Sequence, residues 1–165
     1  MFNMVKVFIM RGVPGSGKST VSGLLANLTN ATICSTDSFF IKDGIYTFDR
    51  TKLGHYHHSN QKLFRECLEA GVNAIVDNTN ITYKEIKEYL VIADEFLDIK
   101  DIAIVEPATD WCKDANECFK RNTHGVPLET IQRMLSNFES PNTLLSKIER
   151  DFGERPRYMR ISVEN

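Results

Sequence analysis

The sequence has no surplus of positive charge: 20 Lys and Arg stand against 22 Asp and Glu, a formal charge of −2. That excludes the broad basic field which drives non-specific binding along a phosphate backbone, so any contact with nucleic acid must be local. Cysteine is scarce and scattered. Cys34, Cys67, Cys112 and Cys118 form no C-x-x-C pair and no metal-ligand spacing, which suits reduced packing thiols in a cytoplasmic chain. No long apolar run opens the sequence either. Residues 1–10 carry one Lys and lead straight into a glycine-rich loop, so a cleaved leader would take the first strand with it, and the expectation is an intracellular protein with no membrane partner. Internal repeats, low-complexity stretches and interdomain linkers are also missing. At 165 residues and 42% hydrophobic content, the chain suits a single α/β domain over residues 1–165 and is too short for two ordinary ones.

What is present is a phosphate loop. Gly12-Val13-Pro14-Gly15-Ser16-Gly17-Lys18-Ser19-Thr20 fits G-x-x-x-x-G-K-[ST]. Backbone N–H groups of such a loop turn inward around phosphates, the Lys ammonium reaches the terminal phosphates, and the Ser hydroxyl coordinates Mg²⁺. Val5, Val7, Phe8 and Ile9 read as a buried parallel strand feeding the loop, and Val21, Leu24, Leu25 and Leu28 as the apolar face of the helix leaving it. Strand, loop and helix thus come in the order that nucleoside triphosphate binding requires.

The alternation continues. Residues 31–35 and 71–76 read as strands around a helix carrying Leu63, Phe64, Cys67 and Leu68, and residues 102–105 as a fourth strand. A helix from about Ile81 to Leu97 precedes that strand, with Thr82-x-x-Glu85 fitting a capping box. Strands alternating with helices imply a parallel sheet covered on both faces. Beyond Pro107, residues 111–121 and 128–138 read as helices separated by a turn, the second packing through Ile131, Met134, Leu135 and Phe138. A shorter helix around residues 144–148 and an unassigned tail follow.

Ligands of parallel α/β sheets sit beyond the carboxyl ends of the strands, where Asp37 and Asp77 fall. One carboxylate near an acceptor hydroxyl and another near Mg²⁺ would serve phosphoryl transfer, and either Asp suits either role. Lys120, Arg121, His124 and Arg133, on the two helices after Pro107 and the turn between them, supply cations for a lid over the transferring group, with Arg121 beside the turn. His55, His57 and His58 lack a second ligand group at a familiar spacing for a metal. His57, Asn60 and Gln61 share a helical face that lines an acceptor cleft or faces solvent. Arg155, Arg157 and Arg160 lie among acidic neighbours and read as solvated surface.

With these residues placed, the chain resembles the P-loop kinases of the polynucleotide 5′-kinase type, the bacteriophage polynucleotide kinase domain and its eukaryotic relatives, within the AAA-type P-loop ATPase and kinase superfamily. The likeness spans roughly residues 5–139 and rests on four segments: Gly12 to Thr20, Ser35 to Phe40, Val76-Asp77-Asn78-Thr79-Asn80, and Arg121 to Pro127. It implies a three-layer P-loop fold with a helical lid over about residues 110–139, and use of ATP and Mg²⁺. It further implies Lys18 and the loop backbone on the phosphates, Ser19 on Mg²⁺ and Asp37 as the general base on a 5′-hydroxyl. Asp77, Asn78, Thr79 and Asn80 would shape the nucleotide and acceptor site, and Arg121 would open the lid motif. His57 falls where relatives carry a His. Two departures stand out: Phe40 occupies the place of an acceptor-binding Arg in the phage enzyme, and Thr123-His124-Gly125 replaces a longer lid with an additional Arg.

The expected activity is transfer of the γ-phosphoryl group of ATP to a hydroxyl, foremost the 5′-OH of a polynucleotide or oligonucleotide. A small-molecule or nucleotide kinase on the same fold, and a nucleotide-binding switch or interaction module without transfer, are the alternatives.

Overall fold

The computed structural model describes residues 4–163; residues 1–3 and 164–165, the ends of the expected 1–165 domain, lie outside them. The strand β1 (Val7–Met10) is apolar throughout and takes the centre of a five-stranded sheet ordered β2-β5-β1-β6-β7, where both its faces are covered. Its neighbours are β5 (Ala74–Val76) and β6 (Ala103–Pro107), with β2 (Thr32–Cys34) and β7 (Arg157–Ile161) at the edges. Every pairing in this sheet is parallel, with Ile9 opposite both Val76 and Ile104. The period-2 alternation of β1 then divides the core. Val7 and Ile9 pack toward α2 (Leu53–Glu69), α3 (Tyr83–Asp94) and α6 (Pro141–Phe152), while Met10 and Phe8 pack toward α1 (Lys18–Thr29). This is the three-layer α/β architecture expected for a parallel sheet.

The face of α1 differs from the expected one. Val21, Ser22 and Leu25 are buried, whereas Leu24 is 49% and Leu28 76% exposed. The rotation has a local cause: Ser22 Oγ donates to Asp77 Oδ2 at 2.8 Å, which turns Ser22 inward and carries Leu24 and Leu28 out.

The capping box on α3 is present, with the Thr82 N–H donating to Glu85 Oε2 at 3.0 Å. The helix expected over residues 111–121 is shorter, running as α4 (Ala115–Arg121), because Asp114 caps it by accepting from the Glu117 N–H at 3.1 Å. The following helix is α5 (Leu128–Ser136). At residues 144–148 the observed α6 is twelve residues long, bounded by a Ser140 cap, Pro141 in the first turn and Gly153 at φ 78°. Those boundary residues carry the helix signal in sequence. Two further elements have no counterpart in the sequence reading: β7, and a hairpin of β3 (Ile41–Lys42) and β4 (Ile45–Tyr46) turning through Asp43 at φ 53° and Gly44 at φ 76°. An Asp-Gly pair with both φ positive is the signature of a two-residue hairpin turn. Among the described residues, no helix is long and apolar enough to cross a membrane.

Candidate active site

The glycine-rich loop joins β1 to α1 at the carboxyl edge of the sheet. Gly15 and Gly17 adopt φ of 80° and 102°, a region that side chains rarely enter. The loop is also tightly walled: a Cβ on Gly15 would lie 2.0 Å from the Cys118 carbonyl oxygen, and one on Gly17 2.9 Å from Thr109 Cγ2. Lys18 Nζ donates to Asp77 Oδ1 at 2.9 Å, so the ammonium is held at the loop mouth by the acid that ends β5. That acid takes Ser22 on its other oxygen.

Asp37 lies in a turn of 3₁₀ helix (Thr36–Phe40) following β2. The Thr36 N–H donates to Asn78 Oδ1 at 3.0 Å, which ties this turn to the segment after β5, and Thr36 Oγ1 lies 3.1 Å from His57 Nδ1. Tyr46 OH donates to Asp37 Oδ1 at 3.4 Å. Burial and the adjoining Asp37 carboxylate push the Tyr46 hydroxyl up to about 12, so it stays a donor through the neutral range. His124 Nδ1 lies 3.2 Å from Asp37 Oδ2 and its ring stacks on Tyr46, with centroids 4.2 Å apart and planes 11° from parallel.

The segment after β6 leans over the loop. Thr109 Oγ1 donates to the Ser16 carbonyl at 2.8 Å and Trp111 Nε1 to the Gly15 carbonyl at 3.0 Å. The Arg121 guanidinium lies on the Trp111 ring, 3.6 Å from its centroid, with Nε 3.5 Å from Glu117 Oε2. A small core of Val13, Ile81, Cys118 and Ile131 fastens α4 and α5 to the loop and to the start of α3. Burial pushes the Cys118 thiol up to about 11, that of an unreactive packing residue.

Beneath the loop runs a buried polar network. Arg11 is fully buried and donates to the carbonyls of Asn80, Ile81 and Glu139 and to Tyr158 OH, all at 2.7–2.8 Å. Tyr158 in turn donates to Glu106, which also pairs with Lys113 at 2.9 Å. Burial pushes the Glu106 carboxyl up, but the bonds from Tyr158 and Lys113 and the charges of Lys113 and Arg11 hold it below its ordinary value. The network joins the end of β1, β6, β7 and the stretch after α5.

A single cleft of about 1040 Å³ collects most of the residues singled out in the sequence: Val13, Pro14, Gly15, Gly17, Lys18, Ser19, Thr20, Asp37, His57, Asp77, Asn78, Thr79 and Arg121 line it. Others lie beneath its wall. The Gly12 N–H is engaged by the Thr79 carbonyl at 2.9 Å, and the Ser16 N–H by the Val13 carbonyl at 3.1 Å. Asn80 is buried with its amide donating to the Met10 carbonyl at 2.7 Å. Phe40 is 2% exposed and forms the hub of an aromatic cluster with Tyr46, Phe48 and Tyr56. Asn60 is buried too, donating to the Cys34 carbonyl and Tyr89 OH, and so lies off the cleft. Tyr46, Trp111, Ser22 and Arg11 escaped the sequence reading. Only Tyr46 had a local signal, its place beside the Asp-Gly turn.

The donor set suits a nucleoside triphosphate with Mg²⁺: two positive-φ glycines, a Lys, and the Ser19 hydroxyl and Asp77 carboxylate lining one cleft. Mg²⁺ commonly takes one or two protein oxygens and completes its shell with phosphate and water.

The sequence profile described as an AAA domain matches residues 7–141. The chain belongs to this AAA domain family. It is 36% identical over 133 residues to NEDD4-binding protein 2 from Homo sapiens, a match that takes in 79% of this chain and 7% of that protein. Among solved structures, a gluconokinase from Sinorhizobium meliloti superposes with a TM-score of 0.62 at 15% identity, over 99% of this chain and 85% of that one. A chain of the Pnkp1/Rnl/Hen1 RNA repair complex superposes with a TM-score of 0.65 at 18% identity, over 89% of this chain and 47% of that one. At such identities the likeness is one of fold, and that fold is P-loop kinase-like.

Proposed function

We propose that this AAA-family domain is an ATP- and Mg²⁺-dependent phosphotransferase acting on a hydroxyl, foremost the 5′-OH of a polynucleotide or oligonucleotide. The observation that carries this reading is that Lys18 with Asp77, and Asp37 with Asn78, line the same cleft from two sides. Lys18 and the loop backbone hold the donor phosphates; Ser19 and Asp77 are the residues that would hold Mg²⁺, which would supply charge neutralisation at the transferring phosphate. Asp37 takes the proton of the acceptor hydroxyl as its oxygen bonds to the γ-phosphorus and the bond to the β-phosphate oxygen breaks. Arg121, steadied on Trp111, offers its charge to the transferring group, and the lid excludes water. Likeness of fold to a chain of an RNA repair complex supports a polynucleotide acceptor. A small-molecule kinase is the second reading, supported by the gluconokinase that superposes over nearly the whole chain.

The test is transfer from labelled ATP to parallel panels of 5′-hydroxyl oligonucleotides, nucleosides and sugar acids. Transfer to the oligonucleotides is expected, with Asp37→Asn lowering kcat roughly 10²- to 10⁴-fold, as for loss of a positioned general base. Transfer only to the small acceptors refutes the polynucleotide reading, and an unchanged kcat in folded Asp37→Asn refutes the base.

A further inference from the structure

Asp37 is contacted by two side chains from outside its own turn. Tyr46 OH takes Oδ1 and His124 stands against Oδ2, so on a carboxylate that is otherwise 48% exposed an acceptor lying along the Tyr46 ring has to take the place of His124. The two are not equally fixed. Tyr46 belongs to β4 and packs edge-on against Phe40, itself buried and braced by Phe48 and Tyr56. His124 sits in the turn between α4 and α5, beside Gly125 at φ 67°, and its polar and stacking partners among the described residues are Asp37 and the Tyr46 ring. Moving His124 breaks one polar contact and one stack; moving Tyr46 also breaks its strand pairing with Ile41 and its edge contact with the buried Phe40.

From this asymmetry we propose that the Tyr46 ring is the acceptor platform, and that His124 is an internal stand-in which an acceptor bearing an aromatic base replaces. The inference rests on the phosphotransferase reading and names its acceptor class. A flat ring with a hydrogen-bonding edge already lies on Tyr46 while contacting Asp37. When it leaves, an aromatic face is bared beside a freed carboxylate oxygen, which matches a nucleoside: the base stacks where the imidazole lay and the hydroxyl meets Asp37. Aromatic platforms of this kind accept any base, because every base has a π-face. A polyol or sugar acid has no ring to use it. The same wall carries Phe48, 52% exposed, and Arg50, which has no ion pair among the described residues. An Arg at that place suits the phosphodiester which joins one base-bearing unit to the next.

Binding without turnover tests the proposal. A 5′-hydroxyl dinucleotide and gluconate are titrated by calorimetry into the protein saturated with Mg²⁺ and a non-hydrolysable ATP analogue, using wild type, Tyr46→Ala, Tyr46→Phe and His124→Ala. The dinucleotide is expected to bind, about tenfold more weakly to Tyr46→Ala, on the scale of one lost base–aromatic stack. Tyr46→Phe keeps the ring and is expected within about twofold of wild type, which separates loss of the platform from loss of the fold. His124→Ala removes the competitor and is expected to bind more tightly, since the competent state no longer has to be won from the closed one. Equal binding to wild type and Tyr46→Ala, weaker binding to His124→Ala, or gluconate bound where the dinucleotide is not, each overturns it. No phosphate moves in this assay, so its outcome is independent of the transfer assay.

Discussion

Replacing Arg11 with methionine deletes every polar contact of the buried guanidinium while keeping most of the side-chain volume. The main-chain carbonyls of Asn80 and Glu139 and the Tyr158 hydroxyl lose the Arg11 donor together, while the Ile81 carbonyl keeps the Glu139 N–H at 3.0 Å. A buried acceptor left unpaired costs about 1–3 kcal/mol. The losses do not add in full, since neighbours relax and water enters. Glu106 keeps Lys113 and Tyr158 but loses the nearby Arg11 charge. Breaking one side of a buried charged network typically costs about 3–5 kcal/mol, and we take roughly 4 kcal/mol for Arg11→Met, a large part of the ~5–15 kcal/mol that holds a domain together. Arg11→Lys keeps the charge but not the planar fork that serves four acceptors from one place, and should lose about half as much. Equilibrium urea unfolding, with midpoints compared at a common slope, reads both. If Arg11→Met falls within about 1 kcal/mol of wild type, on the scale of an ordinary surface change, then Arg11 acts by filling space and the polar argument is wrong.

Two other outcomes follow from single observations. Gly15→Ala puts a Cβ against the Cys118 carbonyl at a backbone angle that costs a non-glycine residue about 1–2 kcal/mol; the loop and α4 must part, so ATP affinity should fall at least about tenfold. The sole tryptophan, Trp111, bonded to the Gly15 carbonyl, reports that titration by fluorescence, and a wild-type curve for the variant would refute the contact. Glu106 is held below its ordinary value, so its contribution to stability is complete above the unfolded value of about 4.3 and is lost as pH falls through the lower folded value. Glu106→Gln should therefore be less stable than wild type at pH 7, with the gap in urea midpoint closing below about pH 4; a gap that does not change with pH contradicts the assignment.

The parts whose physics is local are legible along the chain. The glycines and Lys of the phosphate loop act within nine consecutive residues, the Thr82 box within four, and an apolar strand announces itself by composition, so the alternating parallel architecture could be read from spacing. Even the missed hairpin and the full length of α6 were written locally, in Asp43-Gly44 and in Ser140-Pro141 and Gly153. Which carboxylate meets which partner is settled only once the chain is folded. Asp37 and Asp77 both follow strands and their position alone suits either role; Lys18 and Ser22 take Asp77, while Tyr46 and His124 take Asp37. The same holds for Arg11, whose donors reach residues 69 to 147 positions away, and for Trp111, which closes on a loop 96 positions behind it. Contacts over such separations leave no periodicity in the chain, because they are set by where the sheet brings loop ends together at its carboxyl edge rather than by the residues between them.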